Sequence, residues 1–272
     1  MYGAPMTVRW RRLRGRLRRF GERETRPRRG GEGEDGGPPA ACLPLEGRLK
    51  GPLRGYWFER HHQHSNDSYA GVLLRKFPED LRVYEHLLWA DRPNVIIEIG
   101  TLRGASALWY RDRLRTIAAY GRISAFRVIT IDLEAELARP YLDRADPNWE
   151  QDISLVSADI CDESLPARIA EGLPPDARCF VIEDSAHVYD TTAAALNGFS
   201  RFVHPGGYFI VEDGYVDVET MRVKGHPRGV LPAVADWLAG PGGADFTTRR
   251  DLELYGVTCF PKGVLQRRGV RE

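Results

Sequence analysis

The sequence predicts an α/β fold: a doubly wound, mostly parallel seven-stranded sheet with helices on both faces and an antiparallel C-terminal strand. Three observations carry this expectation. Short apolar runs at 95–99, 127–131, 153–157, 179–182 and 208–211 have the length and β-branched content of buried parallel strands. Helical spacing of apolar residues separates several of them, at 105–119, 191–202 and 230–238, which implies right-handed crossovers. Finally, the runs stop at acid, and open α/β sheets gather ligand and catalytic groups at the carboxyl ends of their strands.

With 272 residues, 42% apolar and 10% aromatic, the chain can bury one good-sized core, so one domain with appendages is expected. The net charge of +1 hides an uneven distribution, because eleven arginines lie between Arg9 and Arg29 while the acid lies mainly beyond residue 78. The body is therefore not that of a nucleic-acid-binding protein. Cys42, Cys161, Cys179 and Cys259 are widely spaced with no CxxC, which suits free thiols in a reducing, cytoplasmic setting. No apolar run approaches the ~20 residues of a membrane span. The arginine-rich first 20 residues lack the apolar stretch of a secretory signal.

Three segments follow along the chain. Residues 1–48 are rich in Arg, Gly, Pro and Glu and read as a disordered tail; residues 8–20 form either a short basic helix or a solvated arm. Residues 49–92 form a helical and lid segment. In it, Phe77-Pro-Glu-Asp80 followed by Leu81, Tyr84, Leu87 and Leu88 places proline near the first turn of a helix. Residues 93–268 hold the alternating strands and helices, closed by a hairpin-like pair at 246–249 and 256–260. His61-His62-Gln-His64 lacks a partner pair at zinc spacing and reads as a polar lid or loop.

The first strand runs into Glu98-Ile-Gly100-Thr101-Leu-Arg-Gly104, with a helix beginning at once and Ser106 in its first turn. Gly100 allows close backbone approach, Gly104 allows helix and strand to pack, and the helix N-terminus offers N–H groups. The dinucleotide fingerprint GxGxxG is absent, and Glu98 would repel a pyrophosphate. The turn better suits S-adenosylmethionine, whose amino group welcomes a carboxylate. Asp132, after the next strand, is placed for ribose hydroxyls, and Asp159, after the third, for the neighbourhood of an adenine ring. Each acid alone could equally cap a helix or a turn.

The motifs at Phe77-Pro-Glu-Asp80, Ile97 to Gly104, Ile182-Glu-Asp184-Ser-Ala-His187, Tyr208-Phe-Ile-Val-Glu212-Asp213 and Tyr255-Gly-Val-Thr resemble the cephalosporin hydroxylase family across residues 56–268. That resemblance implies the Rossmann-like fold of class I methyltransferases and, among its members, rhamnosyl and other sugar O-methyltransferases. The strand-end acids are also similar to those of metal-dependent macrolide-sugar O-methyltransferases. The similarity implies that Asp184, Glu212 and Asp213 hold Mg2+, with His187 as base, and that oligomers occur.

The resulting expectation is an S-adenosylmethionine-dependent O-methyltransferase that acts on a hydroxyl of a sugar or other small molecule in natural-product tailoring. Cofactor contacts would come from Glu98, Gly100, Thr101, Gly104, Ser106, Asp132, Asp159 and Asp184; Asp184 and His187 would be catalytic. Two alternatives stand beside the ligand set: one of the consecutive Glu212 and Asp213 caps a helix or pairs with a cation, and His187 only bonds a loop. Glu183 points the other way along its strand and reads as structural. A non-catalytic cofactor-binding subunit that supports a hydroxylase is the competing function, while a nucleic-acid methyltransferase is disfavoured by the near-neutral chain.

Overall fold

The computed structural model describes residues 52–223 and 225–269; the basic tail and the possible helix at 8–20 lie outside the described residues. Seven strands form the central sheet: β3 (Val95–Ile99), β4 (Arg127–Asp132), β5 (Ile153–Ser157), β6 (Cys179–Glu183), β7 (Tyr208–Val211), β8 (Phe246–Thr248) and β9 (Val264–Arg267). They lie in the order β5-β4-β3-β6-β7-β9-β8, after a small hairpin of β1 (Ser68–Tyr69) and β2 (Val72–Leu73). Strands β3 to β7 pair in parallel, and β9 runs antiparallel to both of its neighbours, so one reversed strand sits between β7 and β8.

The central strands β3, β6 and β7 are buried on both faces, which explains why they read as continuous apolar runs. Along β3, Val95, Ile97 and Ile99 enter one core with Leu196 and Phe199 of helix α6 (Tyr189–Phe199) and Val234 of α7 (Val230–Ala239). Ile96 enters the other, with Tyr84 and Leu87 of α2 (Pro78–Asp91) and Leu108 of α3 (Ala105–Ala119). Two short helices, α4 (Arg139–Ala145) and α5 (Leu165–Glu171), complete the layers. The leading helix α1 (Pro52–His64) is fastened to the body by the fully buried Trp57, whose Nε1 donates to the carbonyl of Thr258 at 3.1 Å. Truncating such an indole to Ala costs about 3–5 kcal/mol.

The closing pair differs from expectation. The stretch 256–260 is not a strand: Tyr255 and Gly256 take positive φ (64° and 85°), and Val257, Cys259 and Phe260 dip into the core as a loop. Asp80 accepts the Cys259 N–H at 2.8 Å and keeps the loop there, leaving 264–267 to supply the reversed strand. The histidines at 61–64 likewise belong to the last turn of α1 and not to a loop.

The order in which successive strands are added reverses between the parallel β3 and β6, which places a crevice at their carboxyl ends. Gly100 sits at this point with φ of 109°, and a Cβ there would lie 2.0 Å from the carbonyl oxygen of Asp184. Only glycine lets the loop after β3 pass this closely over the end of β6.

Candidate active site

A cavity of about 550 Å3 opens at that crevice, a volume within the ordinary range of ligand sites. Its wall is continuous from the Gly100 loop past Asp132 and Asp159 to Asp184, His187 and Asp213. On one side of this wall are Asp132 and Asp159, two of the acids expected for a cofactor, and on the other the acid-imidazole motif.

On the first side, the Asp132 carboxylate already serves the backbone. Its Oδ2 accepts the Thr101 N–H at 3.0 Å and the Leu102 N–H at 3.4 Å, while Oδ1 accepts that of Glu134 at 3.2 Å. The aspartate thus ties the loop after β3 to the loop after β4 and still faces the cavity. Asp159 is exposed at the rim and takes the Cys161 N–H at 2.9 Å. Thr101 and Ser106 line the wall, and exposed Leu102 and Leu133 add apolar surface at its mouth.

Glu98 and Gly104 behave differently from expectation. Neither lines the cavity. Glu98 alternates onto the inner face of β3, fully buried, where its Oε2 accepts the Thr130 hydroxyl at 2.6 Å. Burial raises it to about 7, against the hydroxyls of Ser106 and Thr130 that favour its charged form. Gly104 starts α3 with φ of 81°, and a Cβ there would meet Leu142 of α4 at 2.7 Å, so its partner is a helix side chain.

On the second side, β6 and β7 are neighbours in register Glu183↔Val211, and each ends one residue before its acid. Asp184 lies at the crevice. Asp213 breaks the strand alternation with a left-handed backbone (φ 53°), as does His187 (φ 58°), a conformation that costs about 1–2 kcal/mol and collects at functional sites. The break sends consecutive acids to different places. Asp213 turns toward Asp184 and His187, and the ligand atoms of these three lie within 4.8 Å of one another. His187 Nε2 is 3.1 Å from Asp213 Oδ2, and its Nδ1 is buried with no hydrogen-bond partner. Burial, reinforced by Asp184 and Glu212, holds the Asp213 carboxyl well above the usual range.

Glu212 instead points beneath the site. Its Oε1 accepts the Lys76 ammonium at 2.8 Å and the Tyr84 hydroxyl at 2.5 Å. Lys76 also donates to Asp184 Oδ2 at 2.7 Å, bridging the strand ends. Glu212 is therefore paired with a cation and stands outside the Asp184, His187 and Asp213 group, one of the alternatives the sequence left open. Glu183 is buried and accepts the N–H and hydroxyl of Ser185, a structural use.

Sequence reasoning missed Lys76 and Tyr84, since neither belongs to a strand-end motif. It also missed a chain of hydrogen bonds from His61 Nε2 to the Tyr215 hydroxyl (3.0 Å) and on to His226 Nδ1 (2.9 Å), in which all three rings face the cavity. A run of histidines ending the helix before Phe77 and the rim-loop position of His226 were the visible signals.

The donor set suits a hard divalent cation: carboxylates and an imidazole converge, and a buried imidazole nitrogen lacks a partner. Among the described residues no helix is long and apolar enough to cross a membrane. Cys161, Cys179 and Cys259 are free thiols.

Comparison with known proteins agrees with this architecture. A rhamnosyl O-methyltransferase of Mycobacterium tuberculosis is 26% identical over 189 residues, covering 68% of this chain and 66% of the relative. The corresponding Mycobacterium leprae protein is 24% identical over 185 residues, covering 68% and 71%. The chain thus spans about two thirds of the length of these relatives. A solved structure of CmcI with Mg and SAM superposes with a TM-score of 0.53 at 22% identity, covering 75% of this chain and 77% of that one, which shows the shared fold. The rhamnosyl O-methyltransferase/CmcI family profile matches residues 61–268, most of the length, and the chain belongs to that family.

Proposed function

We propose that the protein is an S-adenosylmethionine-dependent O-methyltransferase, assisted by a divalent cation, that methylates a hydroxyl of a sugar or sugar-bearing small molecule. The observation that carries this reading is the single cavity that joins the glycine loop and strand-end acids to the Asp184, His187 and Asp213 group. Family membership and rhamnosyl O-methyltransferase relatives support it. Natural-product tailoring in a reducing cytoplasm suits the acceptor class and the free thiols.

S-adenosylmethionine supplies the methyl group as an electrophilic sulfonium, and a bound cation such as Mg2+ supplies charge that lowers the pKa of an acceptor hydroxyl. The chain's own residues align and deprotonate. Asp132 keeps the Gly100 loop in place and offers its carboxylate to ribose hydroxyls. Asp159 and Leu133, which line the cavity, would flank the adenine ring of a bound cofactor. Asp184 and Asp213 would hold the cation, with Glu212 behind them. Asp213 orients the His187 ring through Nε2, and His187 is the group that would take the acceptor's proton. Such a positioned base contributes ~10²- to 10⁴-fold. The short span of the Asp184, His187 and Asp213 group favours a second reading, in which His187 is a ligand and the base is His226, across the same cavity.

The test combines calorimetry with S-adenosylhomocysteine and NAD and transfer of a labelled methyl group to rhamnosides with and without chelator. Binding of S-adenosylhomocysteine with chelator-sensitive transfer is expected. Micromolar binding of NAD with none of S-adenosylhomocysteine sinks the assignment.

A further inference from the structure

Lys76 occupies a place that local pattern would give to an apolar residue. In the extended stretch before α2, Leu74 is buried, Arg75 is exposed, and Lys76 turns inward with 4% exposure, followed by the fully buried Phe77. A lysine this buried needs compensation, and Lys76 has it in Asp184 Oδ2 at 2.7 Å and Glu212 Oε1 at 2.8 Å. These are oxygens of two of the three carboxylates expected to hold a divalent cation. Three like charges at the ends of two adjacent strands repel one another, and one fixed ammonium relieves part of that repulsion before any ion arrives.

We propose that Lys76 is a resident cation of the acid cluster that competes with the divalent ion for Asp184, while Glu212 anchors the ammonium from behind. It keeps the strand ends assembled without metal and makes the ion bind more weakly than the carboxylates alone would hold it. This inference rests on the metal-assisted reading above. Lys76 is a positioning residue: the ammonium is bound on carboxylates, and burial without them would disfavour its charge. A purely structural ion pair would share its geometry but would not set metal affinity.

The experiment is titration of the full chain with Mn2+, comparing wild type, Lys76→Met and Lys76→Arg by calorimetry and by the Mn2+-induced rise in Tm. The methionine variant should bind Mn2+ at least tenfold more tightly than wild type and show the larger rise in Tm. The arginine variant, which keeps the charge, should stay within about threefold of wild type. Equal or weaker Mn2+ binding by folded Lys76→Met overturns the proposal. So does a lack of Mn2+ binding in every form.

If Lys76→Met folds only when Mn2+ is present, the ion has replaced the ammonium and the proposal stands. If it folds under neither condition, wild type decides. Lys76 should be acylated by acetic anhydride faster in Mn2+ than in chelator, as read by peptide mass spectrometry, and unchanged reactivity overturns the proposal. Binding of S-adenosylhomocysteine in the same samples reports on the methyl-transfer reading separately, because its loss leaves the Mn2+ comparison intact.

Discussion

The two sides of the cavity are built from the same device, an acid at the end of a parallel strand, yet they use it differently. Beside β3, β4 and β5 the acids are dispersed, and those at the rim mainly accept backbone N–H groups, Asp132 from three residues and Asp159 from one. Beside β6 and β7 they are concentrated, left-handed at Asp213, and balanced by an ammonium from a residue distant in sequence. Hydrogen-bonded carboxylates fix loops at little electrostatic cost, whereas clustered ones store repulsion that a cation can relieve. The first arrangement suits a site that recognises; the second suits one that binds charge and moves a proton.

The largest expected effect breaks the second side. Asp184→Asn removes a charge shared by Lys76 and the cation group, so metal affinity and turnover should fall together, turnover by at least ~10²-fold, while S-adenosylhomocysteine still binds. Calorimetry with Mn2+ and a labelled-methyl assay check both. Unchanged metal binding would remove Asp184 from the ligand set.

His187→Ala should lower turnover by ~10²- to 10⁴-fold with metal and cofactor affinity nearly intact, the contribution of a positioned base. Loss of metal binding in this variant would instead make the imidazole a ligand, and the base would then lie at His226.

Glu98 sharpens the contrast from the recognition side, where it is the one acid buried without a cation. Its pKa is raised from 4.5 to about 7, so the folded state holds the proton more tightly and the penalty grows as pH rises from 4.5 through 7. At 1.36 kcal/mol per unit, the ceiling is about 3 kcal/mol. Glu98→Gln should raise Tm at pH 8 and leave it nearly unchanged at pH 4.5; equal Tm differences at both values would refute the assignment.

Asp132→Ala should weaken S-adenosylhomocysteine binding by roughly 1–3 kcal/mol, through lost loop anchoring and ribose contacts. Retention of full affinity would leave the glycine loop standing without its carboxylate.

The smallest effect is at His61, lowered from 6.5 to about 4 by burial and then by its neighbours His64, His226 and His62. A depressed pKa gives stability that is complete above 6.5 and lost as pH falls toward 4. His61→Gln should flatten the acid limb of a Tm-against-pH curve, and an unaltered limb would show that its burial carries no linkage.

By itself the sequence determined what depends on neighbours along the chain. The buried strands at 95–99 and 208–211, the partly exposed edge strand at 153–157, the helix at 105–119 and the acids that end the strands follow from apolar runs, 3.6-residue spacing and turn residues, all local properties. Tertiary structure alone decided the rest. The loop at 256–260 reads as a strand until Asp80, far away in sequence, claims its N–H. Alternation predicts that Glu212 and Asp213 diverge, but only the left-handed turn at Asp213 decides which one joins Asp184. Lys76 looks like any surface lysine until the sheet brings β6 and β7 beside the segment before α2. Its charge was legible from the start; its two carboxylate partners, 108 and 136 residues away, exist only once the chain has folded.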